Sequence, residues 1–473
     1  MHLVHRSKRN SEYAEGCFFI TTILKIVREV TLISLGKDLN NMDTEISTFG
    51  ERLSLGSGIG ELMDDLGNAL AEAATGGKEM IMLGGGQPAH IPEVDALWRK
   101  RMKEIMEVSA DEQGNFESIV GNYDPPQGSP VFLKSMAKML NENFGWDLTE
   151  KNIAITAGGQ TAFFFLFNAL AGSMADGKTK KILLPLVPEY IGYANQSVGA
   201  DIFKAYMPTI EEIGQHKFKY RVDFDSLEVT DDIAAICVSR PTNPTGNVLT
   251  DDEMAQLADL AKQNNIPLII DNAYGAPFPN IFFAEANPFW DEQVILTLSL
   301  SKIGLPGTRT GIVIASEEVI SAVSSMSAIV GLANNNMGQA LMGPLIESGE
   351  ILKVSNEVVK PFYKEKSLQA QQWVKEFFPD DLPYRQHLSE GALFLWLWFK
   401  GLPITTQELY ERLKKRGVLV VSGHHFFFGL SDEDAQWAHA DECIRVTYTM
   451  EAESVKKGIE IIADEVAIIY AEA

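Results

Sequence analysis

The chain has 473 residues, 45% of them hydrophobic, enough for a large core divided between two domains. Its 64 acidic against 40 basic residues leave a net charge of −24, a surface that repels phosphodiester backbones and argues against nucleic acid as a partner. Three widely spaced cysteines, Cys17, Cys237 and Cys443, make neither a disulfide framework nor a zinc pattern, and the eight histidines have no metal-ligand spacing, so a reducing cytoplasm is expected and no metal.

Residues 1 to 41 are basic at first, then apolar without a sustained period. The nearest approach to a membrane span, Cys17 to Leu35, is interrupted by Lys25, Arg28 and Glu29. No small-residue cleavage pattern follows Leu24, which argues against a secretory leader. Met42-Asp-Thr-Glu-Ile-Ser-Thr-Phe-Gly50 reads as a second beginning, which leaves residues 1–48 as an extension, disordered or not native. Apolar residues at helical spacing predict a helix from Glu61 to Glu72, stopped by Gly76-Gly77. Met80 to Leu83 reads as a short strand. The Gly84-Gly-Gly-Gln-Pro88 stretch after it is either a close backbone approach to a ligand or a tight turn. Helices are expected over Pro92 to Val108 and Pro130 to Phe144, the second opened by its proline. Between them runs a rigid polar loop, Asn122-Tyr-Asp-Pro-Pro-Gln-Gly128, which carries one aromatic hydroxyl, that of Tyr123.

Asn152 to Thr156 is a predicted strand. Ala157-Gly-Gly-Gln-Thr161 turns it into an apolar helix, Ala162 to Ala171. Such a glycine-rich turn presents free N–H groups and the positive end of the helix dipole, a seat for phosphate. It carries the signature of neither a Walker A loop nor the dinucleotide fingerprint. Lys181 to Leu184 is the next strand. Tyr190, just past it, lies flat against a planar cofactor or caps the core. Ile233 to Ser239 leads into Arg240-Pro-Thr-Asn243-Pro-Thr-Gly246, where two prolines fix the loop and aim the Asn243 amide. A capping-box pattern, Thr250-Asp-Asp-Glu253, starts a helix that runs to Asn264. Ile266 to Ile270 is a strand ending in Asp271-Asn-Ala-Tyr274.

Val294 to Leu298 is a buried strand ending in Ser299-Leu-Ser-Lys302, after which Gly304, Pro306 and Gly307 break the backbone ahead of Arg309. This turn can hold a lysine rigid beside a fixed cation able to pair with phosphate. A Schiff-base lysine needs that company, because a neighbouring positive charge eases loss of its proton. An ordinary surface lysine after a strand would show the same local pattern. Strand, helix and strand repeated with short turns predict a right-handed parallel sheet. Gly159, Tyr190, Asn243, Asp271 and Lys302 all fall at or just past strand ends, where the reactive groups of such sheets gather.

Ile312 to Ala315 is another strand, followed by a helix-rich region with a bend at Pro361 inside Ser355 to Phe377. Gly391 to Phe399 reads as a strand buried on both faces, with Trp396 and Trp398 assigned to the core. A helix over Thr406 to Arg416 precedes a strand over Gly417 to Val421. The last strand, Ile444 to Tyr448, bears Arg445, a buried arginine that requires either an anionic ligand or an internal salt bridge. Glu453 to Glu472 is the final helix.

Together, Asn243-Pro-x-Gly246, Asp271-x-x-Tyr274 and Ser299-x-Ser-Lys302 with Arg309 resemble the class I/II aminotransferases, pyridoxal-phosphate enzymes of fold type I, over residues 49 to 473. Four stretches are similar to the members that pass an amino group from L-valine to pyruvate: Met82-Leu-Gly-Gly-Gly-Gln-Pro88, Pro188-Glu-Tyr-Ile-Gly-Tyr193, Ser239-Arg-Pro-Thr-Asn-Pro-Thr-Gly246 and Phe394-Leu-Trp-Leu-Trp-Phe399. One departure is Ser422-Gly-His424, where many relatives place proline before the glycine.

The resemblance implies an α/β fold. A large domain, residues 90–345, would have a mostly parallel central sheet flanked by helices, and a smaller α+β domain, residues 49–89 and 346–473, would come from both chain ends. It implies that Lys302 bonds pyridoxal 5′-phosphate and then shuttles a proton, that Asp271 faces the ring nitrogen, and that Tyr274 and Asn243 reach the phenolic oxygen. Tyr190 would stack on the ring. Gly159, Gln160, Thr161, Ser299, Ser301 and Arg309 would hold the phosphate, with Tyr123 reaching the phosphate of a neighbouring subunit in a homodimer. Arg445 would fork onto the substrate carboxylate beneath the backbone of Gly86. The implied reaction is ping-pong transfer from L-valine to pyruvate, giving 3-methyl-2-oxobutanoate and L-alanine. The alternatives are another class I aminotransferase or a β-lyase of different substrate range, and an aminotransferase-like effector domain of a transcription regulator. The acidic charge, and the lack of a recognisable helix-turn-helix pair in the first 48 residues, weigh against the last.

Overall fold

The computed structural model describes residues 46–54, 58, 60, 61, 63–65, 67, 80–112 and 114–473. Met42, most of the 1–48 extension and the Gly76-Gly77 stop lie outside them. The predicted 61–72 helix is covered in part, and its described residues up to 67 are helical. The chain divides into two compact units, residues 1–55 and 56–473. The first contains the helix Thr48–Ser54.

The second unit is built on two sheets. The larger collects β2 (Ile153–Thr156), β3 (Gly172–Ser173), β4 (Thr179–Leu184), β5 (Phe203–Ala205), β8 (Ile233–Ser239), β9 (Leu268–Asp271), β10 (Val294–Ser299) and β11 (Gly311–Ile314). Its spatial order is β2-β11-β10-β9-β8-β4, with β3 and β5 both along the outer side of β4. The run β5-β4-β8-β9-β10 is parallel, and β11 is antiparallel to both of its neighbours. Every residue of β2, β8, β10 and β11 is buried. That explains why these strands read as unbroken apolar runs, since helices cover both faces of such a sheet. The helix Asp251–Gln263 starts on the expected capping box, with Thr250 and Glu253 each accepting from the other's backbone N–H at 3.2 and 2.8 Å.

The second sheet has the order β15-β16-β13-β12-β7-β6. Here β12 is Tyr384–His387, β13 Phe394–Phe399, β15 Val421–Ser422 and β16 Cys443–Thr447. The β6 (Thr209–Ile213) and β7 (Lys217–Arg221) hairpin comes from the middle of the chain, and the sequence reading did not anticipate it. Its pairing with β12 spans more than 160 residues, so no local pattern announces its place in this sheet. A third pairing joins β1 (Ile81–Met82) to β14 (Val418–Leu419) in parallel.

Three local expectations are corrected. The helix expected from Ala162 begins at Gly159, because Gly158 takes φ +90° and turns the chain early. The strand expected from Gly391 begins at Phe394; Gly391 packs against Pro241 and makes only an isolated bridge to Phe282. The bend before Phe377 is a π-helical stretch, Ser355–Val359, just ahead of Pro361, whose missing N–H frees the preceding turn to widen. Trp396 and Trp398 are buried in the core as expected. Among the described residues no helix is long and apolar enough to cross a membrane, and no group of three His, Cys, Asp or Glu could hold a metal ion.

Candidate active site

The carboxyl ends of β2, β4, β8, β9 and β10 open on one edge, and the predicted residues follow them. Beyond β10, residues Leu300–Ile303 form a single 3₁₀ turn. The Ser299 hydroxyl accepts the Ser301 N–H at 3.2 Å, and the Trp98 indole donates to the Ile303 carbonyl at 2.9 Å. The turn is thereby fixed from both sides, and it carries Lys302. The amine donates to the Gly86 carbonyl at 2.6 Å and lies 5.4 Å from the centroid of the Tyr274 ring. Burial lowers its pKa to about 8; Arg445 and Arg309 push the same way, and Asp271 opposes them. An ordinary surface lysine keeps none of this company.

Asp271 ends β9. Its carboxylate accepts the Tyr193 hydroxyl at 2.5 Å and the Ala273 N–H at 3.0 Å. Burial raises its pKa, while those two donors and Lys302 pull it back. Tyr274 is buried, and desolvation holds its phenol neutral. Tyr190 is half-buried, edge-on to Tyr193 at 5.2 Å, with its ring folded over Gly192.

At the end of β2, Gly159, Gln160 and Thr161 form the first turn of Gly159–Leu170, where backbone N–H groups have no acceptor within the helix. The Gln160 side chain donates to the Gly192 carbonyl at 3.2 Å, and the Thr161 hydroxyl to Ala157 at 3.2 Å. The guanidinium of Arg309 lies against Gly158; a Cβ there would come within 2.3 Å of its terminal nitrogen. Arg309 itself has φ +46° and donates to the Pro306 carbonyl at 3.3 Å, with no carboxylate paired to it among the described residues. A cation and a positive helix end thus meet without an anion between them, the condition for an anion seat. Ser299, the N-cap of the turn, and Ser301 both precede Lys302.

Arg445 enters from the second sheet, on β16, and is 2% exposed. One terminal nitrogen donates to the Asn243 side-chain oxygen at 2.6 Å and the other to the Gly84 carbonyl at 2.6 Å; its Nε is buried without a partner. The guanidinium lies 4.2 Å from the Phe394 ring centroid and 5.4 Å from that of Phe426. Burial lowers its pKa to about 10. Among the described residues no carboxylate pairs with it, so the internal salt bridge that the sequence left open is not seen there. Asn243, buried in the loop after β8, thus ties that loop to β16 of the second sheet.

One predicted residue stands apart from this cluster within the chain. Tyr123 is 80% exposed, on a loop anchored by Gln127 donating to Glu150 and Ile153 carbonyls at 2.8 Å. The sequence reading assigned no role to Tyr193 or Glu189, although both lie in the motif it quoted around Tyr190. Spacing gave a signal for Tyr193, which stands three residues after Tyr190 and so returns to the same side of a single turn. A buried Lys219 is also new: its amine bonds the Glu390 carboxylate, Asn247 at 3.1 Å and the Val248 carbonyl at 2.9 Å. That bridge fastens the loop after Asn243 to the approach of β13.

Residues 78–462 match the family described as "Aminotransferase class I and II". The chain is 46% identical over 427 residues to the valine–pyruvate aminotransferase of Escherichia coli K12, covering 90% of this chain and 99% of that protein. Among solved structures, a putative amino-acid aminotransferase from Psychrobacter arcticum 273-4 is 44% identical with a TM-score of 0.86, over 91% of this chain and 100% of that one. The valine-pyruvate aminotransferase of Salmonella typhimurium LT2 is 45% identical with a TM-score of 0.79, over 88% and 100%.

Proposed function

The chain belongs to the class I and II aminotransferases, and from that premise we propose that it transfers the amino group of L-valine to pyruvate by a ping-pong reaction, giving 3-methyl-2-oxobutanoate and L-alanine. The observation that carries the chemistry is the meeting of the Lys302 amine, the Asp271 carboxylate and an Arg445 guanidinium that no carboxylate among the described residues neutralises. The choice of valine and pyruvate is supported by the likeness to the two valine–pyruvate aminotransferases.

The residues present fit pyridoxal 5′-phosphate. Arg309 over Gly158 and the first turn of Gly159–Leu170, with Gln160, Thr161, Ser299 and Ser301, supply an anion seat for its phosphate. Asp271 supplies the carboxylate for its ring nitrogen, Tyr190 a flat aromatic face, and Tyr274 and the Asn243 amide donors for its phenolic oxygen. When bound, the coenzyme supplies an electron sink for the pair left on the substrate α-carbon.

The protein's own part follows from charge and geometry. Arg445 takes the substrate carboxylate with its fork, which fixes the α-carbon relative to the sheet edge. Lys302, its pKa already lowered to about 8, takes the α-proton and returns one to the carbon that becomes the new α-centre. Asp271, held by Tyr193 and the Ala273 N–H, keeps a negative charge facing the ring nitrogen. The Gly84–Gly86 stretch, whose carbonyls accept from Arg445 and Lys302, ties the two cations to one piece of backbone.

The same reading makes the protein a cytoplasmic homodimer with a large domain over 90–345 and a small domain from 49–89 and 346–473. The exposed Tyr123, together with exposed Val120, Ile329, Val330 and Leu332, supports an interface on that side, with Tyr123 reaching the partner's phosphate seat. A coupled assay should give alanine from valine and pyruvate. No alanine, with good turnover of aromatic donors and 2-oxoglutarate, would remove the substrate assignment and leave the family.

A further inference from the structure

Glu189 is a carboxyl that the reaction above does not use, yet it is 1% exposed and adjoins the residues that do. One of its oxygens accepts the Ser239 N–H at 2.8 Å. The other meets the Ser239 hydroxyl and accepts the Tyr190 N–H at 3.2 Å. Its own N–H donates to the Phe426 carbonyl at 3.0 Å. No cation pairs with it among the described residues, and burial pushes its pKa up to about 8 against the pull of Ser239. A buried acid without a cation is costly to keep, and packing alone would be served by an apolar side chain.

Its neighbours give it a use. Ser239 is the register partner of Asp271 across β8 and β9, and the Arg240 N–H donates to the Asp271 carbonyl at 2.8 Å. On the other side, Tyr193 donates its N–H to the Tyr190 carbonyl at 2.9 Å and its hydroxyl to Asp271. Glu189 therefore closes a ring of contacts: Ser239, Asp271, Tyr193, Tyr190 and back to itself.

We propose that Glu189 is a positioning residue for the transfer reaction: its buried carboxyl clamps the end of β8 to the turn carrying Tyr190 and Tyr193, and so sets both the aromatic face over the coenzyme ring and the hydroxyl that aims Asp271. The inference rests on the aminotransferase reading. It predicts an effect on how the coenzyme is held, and little effect on Arg445, which Glu189 does not touch.

The test compares the wild-type holoenzyme with Glu189→Ala, Glu189→Gln and Ser239→Ala, reading coenzyme Kd, the visible circular dichroism of bound coenzyme, and kcat and KM for valine. Glu189→Ala should raise the coenzyme Kd about tenfold or more, weaken the dichroic band and lower kcat, with KM for valine nearly unchanged. Glutamine can still accept from the Ser239 N–H and donate to the Ser239 hydroxyl, but its NH2 cannot accept the Tyr190 N–H, so Glu189→Gln should fall between wild type and Glu189→Ala, at about threefold from wild type. Ser239→Ala should move in the direction of Glu189→Ala by less, and it keeps the test open should Glu189→Ala fail to fold. Wild-type Kd and dichroism in Glu189→Ala would overturn the proposal even if its Tm falls, since a purely structural role predicts that pattern. Glu189→Gln as impaired as Glu189→Ala would overturn it as well. A wild-type protein with no visible band would overturn the aminotransferase reading and this inference with it; a normal wild-type band beside indifferent variants overturns this inference alone.

Discussion

The edge of the large sheet and the face of the second sheet each deliver a cation to one site, and they hold it in opposite ways. Lys302 stands on a turn directly after its strand, within the field of Asp271, with its proton loosened by burial. Arg445 stands in mid-strand, flanked by Phe394 and Phe426 and bonded to two neutral oxygens. The same second sheet shows that it can neutralise a cation when nothing else is asked of it: Lys219, equally buried, is paired with Glu390. The contrast supports the proposed division, with Arg445, which meets no carboxylate among the described residues, set for an anionic ligand and Lys302, its pKa lowered by burial, set for proton movement.

The most severe way to break this division is to remove the amine. Lys302→Ala should lower alanine formation from valine and pyruvate by about four orders of magnitude, while far-UV circular dichroism stays that of wild type. Next is the charge that balances it: Asp271→Asn keeps the shape and should cost about a thousandfold in kcat with coenzyme still bound. On the other sheet, Arg445→Lys keeps the charge and loses the fork. It should raise KM for both substrates about 10- to 100-fold and change kcat much less. A loss confined to kcat would mean the two cations are not divided as described.

The smallest effect sharpens the comparison through pH. Coenzyme capture by the apoprotein needs a neutral Lys302, and its pKa is lowered to about 8, first by burial and then by Arg445. The neutral fraction grows as pH rises, so the capture rate should climb about tenfold per pH unit below that value and level off above it. Arg445→Met removes a repelling cation and should shift this profile to higher pH. A profile that does not move would show the two regions to be electrically independent.

The same contrast explains what the sequence made legible. Lys302, Asp271, Asn243 and Gly159 each follow an apolar run within a few residues, so the parallel strands, the turns and the site could be read locally. Arg445 was readable as a buried cation, but not its freedom from a salt bridge, which depends on what surrounds it in space. The pairing of β7 with β12, the Lys219–Glu390 bridge and the ring around Glu189 were not legible, because each joins segments far apart in sequence. The early start of the Gly159–Leu170 helix turned on one backbone angle at Gly158.

The bond from Arg445 to the Gly84 carbonyl joins positions 361 apart, and β1 beside β14 spans nearly as far. During synthesis the lysine turn and its acid therefore emerge from the ribosome well before the residue that grips the substrate. A product cut short ahead of β16 would keep the Lys302 turn but lose Arg445 and the strand that joins β15 to β13, so the second sheet and the site are completed together, by the last part of the chain.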